Sequence, residues 1–538
     1  MSLMPQIIFS SKHKQMLTIV AFFWLALTSL AFAHASLTGT EPADSAVIDS
    51  APSNFSLSFS EPVSPLILKL IRPDGSASVL TDFALHDQKV KITAPDNLDQ
   101  GTHVLTWRVV SSDGHPVSGS VIFSIGKASS APHQLVATND AKVSSAIWLA
   151  KLVLYITLFI GIGGAFALSW LWPAQRPARR LIQAILSAGF IVTALSLGLQ
   201  GLDALGVGFS DFFSPSVWLA GFNTSYGMTV LVLLAAIILT TIALAITCKK
   251  AAKLLSLIAI ITGAAALAIS GHASAAEPQW LTRSAVFLHA FIIALWVGAL
   301  MPLGISLYRK DSDTTNGLRR FSNFIPYALL ILIIAGMTLT IIQVQKPSAL
   351  LETAYGKLLV AKLAILFLLF LLAAYNRWKL TQPVMHNDGI ATQKLARSII
   401  IETVLVLVIF GTASGWRFTP PPRSIAIAAA QPATMHIHTD KAMADVSVAP
   451  GRTGSVTASA ILMDSDFATL EAQEVTYVFS NSEAGIEPFR RKAVKTENGN
   501  WEATDVPLPL AGTWKVRLDI LINDFELVRL EENIQIRP

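Results

Sequence analysis

At 538 residues, 52% hydrophobic and only 14% charged, the chain is too apolar for an ordinary soluble protein and points to several membrane spans. Its single cysteine, Cys248, excludes an intramolecular disulfide and any paired-cysteine metal or redox motif. The net charge of +5 invites a nucleic-acid reading, but the placement of the basic residues gives them another role.

The chain begins with Lys12 and Lys14, an apolar run over 16–30, and Ala31-Phe32-Ala33. This is the pattern of a secretory signal peptide over 1–33, and cleavage after Ala33 makes His34 the new N-terminus. An N-terminal histidine offers its α-amine and ring Nδ1, which close a six-membered chelate ring on a metal ion. The amine's ordinary pKa of about 8 lets a Lewis-acidic ion displace its proton at neutral pH. Residues 34–126 then alternate in short runs, among them Phe55-Ser-Leu-Ser-Phe59, Val104-Leu-Thr-Trp-Arg-Val-Val110 and Val121-Ile-Phe-Ser-Ile125, which predicts an all-β sandwich. Asp113-Gly114-His115 sets a carboxylate and an imidazole two residues apart, on one face of an extended segment. Two imidazoles, an amine and a carboxylate form a tetragonal N/O donor set, which suits Cu(II). His86 and His103 read as surface residues, and 127–143 as a linker.

Residues 144–416 predict a transmembrane domain of eight helices, since eight apolar segments each approach the ~20 residues that cross a bilayer. Alternate connections carry the basic residues: Arg176, Arg179 and Arg180; Lys249, Lys250 and Lys253; Arg309, Lys310, Arg319 and Arg320; Arg377, Lys379, Lys394 and Arg397. Positive charge stays cytoplasmic, so these loops face inward, and the basic excess is a topology signal instead of a nucleic-acid footprint. An even number of spans then leaves both soluble ends external, in agreement with the signal peptide.

Charged and polar groups inside lipid are costly and need a reason. His272 ends the fourth span and His289 lies about one turn into the fifth, so both sit at similar depth near the outer surface. Met228 and Met337 are candidate soft thioether ligands for Cu(I). Lys357 is expected to snorkel to the outer interface and Glu402 to meet water near the inner end. Lys362 lies deeper and needs a partner, with Glu402 or a backbone carbonyl as the candidates. Residues 417–434 form a Pro/Ala-rich linker, and 435–538 alternate again as an immunoglobulin-like β-sandwich. At its start Met435, His436 and His438, with Met443, are candidates for a further copper site, His436 and His438 sharing one strand face.

His34, Ser60-Glu61-Pro62-Val63 and Trp107-Arg108-Val109-Val110-Ser111-Ser112-Asp113-Gly114-His115-Pro116-Val117-Ser118-Gly119 together resemble the periplasmic copper-binding CopC family over about 34–126. The resemblance implies a Greek-key sandwich that holds Cu(II) through His34, Asp113 and His115. The methionine-rich Cu(I) site of some members is missing here, because no Met lies between His34 and Ser144. Gly271-His272-Ala273, Leu288-His289, Trp296 with Gly298, Tyr355-Gly356-Lys357, Lys362, Asn376-Arg377 and Glu402 resemble the CopD family of copper-resistance membrane proteins over 146–416. That resemblance implies copper passage across the plasma membrane.

The expected function is therefore a non-enzymatic copper transporter of the bacterial plasma membrane, multi-pass, with external N- and C-terminal domains. Its partners would be copper ion, the lipid bilayer and periplasmic copper carriers, and no nucleic acid. Copper would be Cu(II) in the N-terminal domain and Cu(II) or Cu(I) in the membrane. Inward passage is favoured, since no ATP-binding loop or phosphorylatable aspartate motif is evident. Two alternatives are a b-haem redox protein with His272 and His289 as axial ligands, and a copper store or sensor without transport.

Overall fold

The computed structural model describes residues 37–126 and 141–537, apart from short stretches at 43–45, 49, 60–61, 97, 112–115, 173–174, 272, 275, 310–313, 431, 440, 465–467 and 483. Strands β1 (Leu37–Glu41), β2 (Ala46–Ile48), β3 (Asn54–Phe59), β4 (Val63–Ile71), β5 (Ala77–Val79), β6 (Phe83–His86), β7 (Lys89–Thr93), β8 (Gly101–Ser111) and β9 (Pro116–Ile125) form the first β region. They divide into two sheets, ordered β1-β3-β7-β6 and β2-β9-β8-β4-β5. Period-two alternation sends Phe55, Leu57 and Phe59 of β3 inward to meet Leu105, Trp107 and Val109 of β8, so both sheets share one core.

Gly119 explains part of the long motif. A Cβ there would lie 2.5 Å from Cζ2 of Trp107, so only glycine lets β9 pass the indole. That indole also meets the Phe59 ring edge-on, with centroids 5.1 Å apart. Phe59 in turn pairs with Leu37 at the start of β1. The beginning of β1 therefore lies at the same end of the sandwich as Trp107 of β8 and Gly119 of β9.

The second β region holds β10 (Ala433–His438), β11 (Met443–Ala449), β12 (Gly454–Met463), β13 (Glu474–Asn481), β14 (Ile486–Lys492), β15 (Val494–Lys495), β16 (Trp501–Leu508), β17 (Gly512–Asn523) and β18 (Glu526–Ile536). Its sheets run β10-β11-β12-β16-β15 and β14-β13-β17-β18. Tyr477, Phe479 and Trp514 fill the space between them, the Tyr477 hydroxyl donating to the Trp501 carbonyl at 2.9 Å. The stretch read as a linker before it includes a helix, Pro422–Ala430.

Among the described residues, eight helices are long and apolar enough to cross a membrane: α1 (Ala141–Trp170), α2 (Arg176–Leu205), α3 (Ser225–Ala245), α4 (Lys249–Ile269), α5 (Gln279–Arg309), α6 (Thr314–Val344), α7 (Ala354–Met385) and α8 (Gly389–Gly415). A wide π-helical turn interrupts α1 at Ile156–Ile162. Just beyond it α1 crosses α5 at backbone distance. A Cβ on Gly163 would collide with the Ala294 carbonyl, and one on Gly298 with the Gly163 backbone. Side-chain bonds to backbone or side chain tie other helices together. Trp148 of α1 donates to the Gly411 carbonyl of α8 at 3.0 Å, and Arg377 of α7 donates to the Ser322 hydroxyl of α6 at 2.7 Å.

Candidate functional site

The helices enclose a cavity of about 350 Å³ whose walls come from α1 through α8. The wall is largely apolar, with Leu154, Leu158, Phe159 and Phe410 among its residues. Convergent polar groups interrupt it. Tyr155, Tyr226, Gln343 and Tyr355 face in beside Lys151, His289, Lys362 and Arg417.

His289 comes from α5, and the glycine opposite makes room for it. A Cβ added at Gly336 of α6 would meet His289 Cε1 at 3.3 Å. The ring's Nδ1 is buried and has no hydrogen-bond partner. Gly271 and Ala273 also line the cavity, with Gly271 at φ +100°, a conformation that glycine adopts without strain. His272 between them lies outside the described residues.

Lys362 is half-buried, and its ammonium sits over the Trp416 indole, 4.6 Å from the centroid. Trp416 stacks on Tyr355 at 5.3 Å, so the lysine rests on an aromatic pair instead of on Glu402 or a carbonyl. Glu402 accepts a 2.8 Å hydrogen bond from the Asn376 amide and is only 3% exposed, which corrects the expectation that it meets water. Neither Asn376 nor Glu402 lines the cavity. Lys357 is exposed. Met228 and Met337 are 55% and 59% exposed and lie outside the lining, so the structure does not bring their thioethers to His289.

Three lining residues escaped the sequence reading. Lys151 is a charge inside an apolar segment, and that cost was the available signal. Arg417 lies just beyond α8, in the segment whose composition predicts a linker. It pairs with Asp203 at 2.5 Å and donates to Gln200 at 3.2 Å, joining the end of α8 to α2. Tyr226 carried no signal beyond its type; its hydroxyl donates to Ser196 at 3.0 Å.

In the first sandwich, His34, Asp113 and His115 lie outside the described residues. The start of β1 lies near Trp107 of β8 and Gly119 of β9, as described above. His86 is exposed, as expected. His103 is fully buried, stacked on Phe123 at 5.3 Å with its Nδ1 3.1 Å from the Gly101 carbonyl, which overturns its surface assignment. Burial lowers its pKa below the ordinary value, against the raising effect of that carbonyl.

At the second sandwich, His436 faces Asp445 and His438 faces Met443 in the β10–β11 register, while Met435 is half-buried and Met443 is fully buried. The side chains of His436 and His438 lie outside the described set. Among the described residues, no three His, Cys, Asp or Glu side chains gather closely enough to hold a metal ion.

Comparison with known proteins accounts for most of the chain. Residues 37–126 match the family described as CopC domain, 141–280 match Copper resistance protein D-like, N-terminal domain, and 316–416 match Copper resistance protein D. The Copper transport protein CutJ of Bacillus subtilis (strain 168) is 23% identical over 96% of this chain and 99% of its own length. Copper resistance protein C of Xanthomonas campestris pv. juglandis is 37% identical, covering 20% of this chain and 92% of its own. Among solved structures, that of CopC from Methylosinus trichosporium OB3b covers 19% of this chain and 99% of that chain at 24% identity, with a TM-score of 0.16. The chain belongs to the copper transport and resistance family in which a CopC domain and a CopD domain share one polypeptide.

Proposed function

We propose that the chain captures Cu(II) outside the plasma membrane and passes copper inward through the helical unit. His34, Asp113 and His115 are the capturing ligands, and His272 and His289 receive the ion at the membrane. The observation that carries this reading is His289. Its Nδ1 is buried without a protein partner and its ring lines a cavity whose wall includes both neighbours of His272. A buried imidazole nitrogen left unbonded is costly unless a ligand completes it. Imidazole suits copper in either oxidation state.

The orientation proposed here, with both sandwiches external, rests on the alternating basic loops. Periplasmic copper carriers are the partners that fit such a domain. The test is time-resolved copper uptake into proteoliposomes of known orientation. Wild-type protein is expected to move copper inward and His289→Ala to lose most of that flux. Equal flux from both proteins would remove His289 from the path. A Soret band in the purified protein would instead favour haem ligation by the same histidine.

A further inference from the structure

The cavity carries a charge imbalance that a cation conduit should not have. Lys151, Lys362 and Arg417 line it together with His289, and no Asp or Glu is among its lining residues. Arg417 is neutralised by Asp203. No carboxylate lies within ion-pair reach of Lys151 or Lys362 among the described residues, and the contact that Lys362 makes is with the quadrupole of Trp416. Both lysines are half-buried in membrane-spanning helices. Two ammonium groups facing a largely apolar chamber carry a desolvation cost and disfavour any metal cation placed there, because the low dielectric magnifies both effects. An anion in the chamber offsets both penalties.

We propose that the cavity is an anion site: a small soft anion of the halide type neutralises Lys151 and Lys362 and accompanies copper at His289. This deepens the transport reading and rests on it for the copper, though not for the anion. A volume of about 350 Å³ has room for an anion beside a metal ion. A halide and an imidazole are also compatible neighbours on Cu(I), which accepts soft donors. The anion has two possible sources. It is either a resident counter-ion held by the lysines, or it arrives bound to copper as an anionic complex.

Chloride binding to the reconstituted full chain, read without copper by ³⁵Cl line broadening, tests the site. Broadening should be present in wild type and weaken by about tenfold or more in Lys151→Met/Lys362→Met, as when one side of a desolvated charge pair is removed. Lys151→Arg/Lys362→Arg, which keeps the charge, should retain it, and this pair decides the matter if the methionine variant does not fold. Absence of broadening in wild type, or broadening indifferent to charge, overturns the proposal. Cu(I) flux under potassium diffusion potentials, in chloride and in gluconate, then separates the sources. A resident anion leaves copper moving as a cation, with its equilibrium ratio shifted inward about tenfold per ~60 mV, inside negative. Co-transport makes flux require chloride on the copper side and abolishes that inward bias. Broadening without any copper flux upholds the anion site and sinks the transport reading, whereas flux without broadening does the reverse.

Discussion

Two polar sites in the helical unit differ in what their groups face. Glu402 and Asn376 point at each other across α7 and α8, away from the cavity. His289 and Lys362 point into it, one with an unbonded nitrogen and the other resting on an indole. A buried polar group bonded to a neighbouring helix acts chiefly as glue. One that faces open volume costs stability without fastening anything, and so is the place to look for a ligand. The sequence alone shows only charged letters in apolar runs and does not separate the two.

Substitutions at both sites turn this contrast into measurements. Glu402→Ala should have the largest effect on stability, about 3 kcal/mol, because it orphans the Asn376 amide and opens a void between helices. The loss would appear as a lower denaturation midpoint in detergent, while correctly folded molecules keep their copper flux. His289→Ala should do the opposite, cutting flux with a smaller loss of midpoint, since its Nδ1 holds no protein partner and the ring gives up only a backbone hydrogen bond to Leu332. If both variants lower stability equally, the distinction between glue and ligand disappears.

The soluble sandwich extends the contrast. Gly119→Ala should cost about 1–3 kcal/mol through collision with the Trp107 indole, read as faster hydrogen exchange in β8 and β9. His103, buried and bonded to Gly101, supplies a pH signature. Its folded pKa is lowered, so below the ordinary value of 6.5 the unfolded chain binds more protons. Protection of β8 should therefore be flat above that pH and fall beneath it, and His103→Leu should remove the dependence. The smallest effect is expected from Tyr477→Phe, which forfeits one hydrogen bond to Trp501 and about 1 kcal/mol in the second sandwich.

Much of the architecture is legible from the chain because its signals are strong and local. Runs of apolar residues mark the eight helices, and period-two alternation marks both β regions. The functional residues are less legible for specific physical reasons. Lys151 disappears into the average of a long apolar window. Arg417 lies just past the last apolar residue, where composition resembles a linker, yet its bond to Asp203 crosses from α8 to α2. Met228 and Met337 have the right chemistry and depth, but their helical phase turns them away from the cavity, and one sequence does not fix that phase. His103 was within reach. It shares parity with Leu105, Trp107 and Val109, whose inward direction the alternation already required.

The glycine contact between α1 and α5 sets a mechanical limit. Where two backbones touch with no side chain between them, there is no soft layer to compress and no rotamer to switch. That crossing holds α1 and α5 tightly together, and Gly163 and Gly298 sit on it. On the proposed transport reading, any change in the chamber's shape as copper enters or leaves falls to walls away from that contact, and α6 and α7 are the least enclosed of the eight helices. Lys362 rides on one of them and Gly336, facing His289, on the other, so their displacement would alter the spacing between lysine and imidazole.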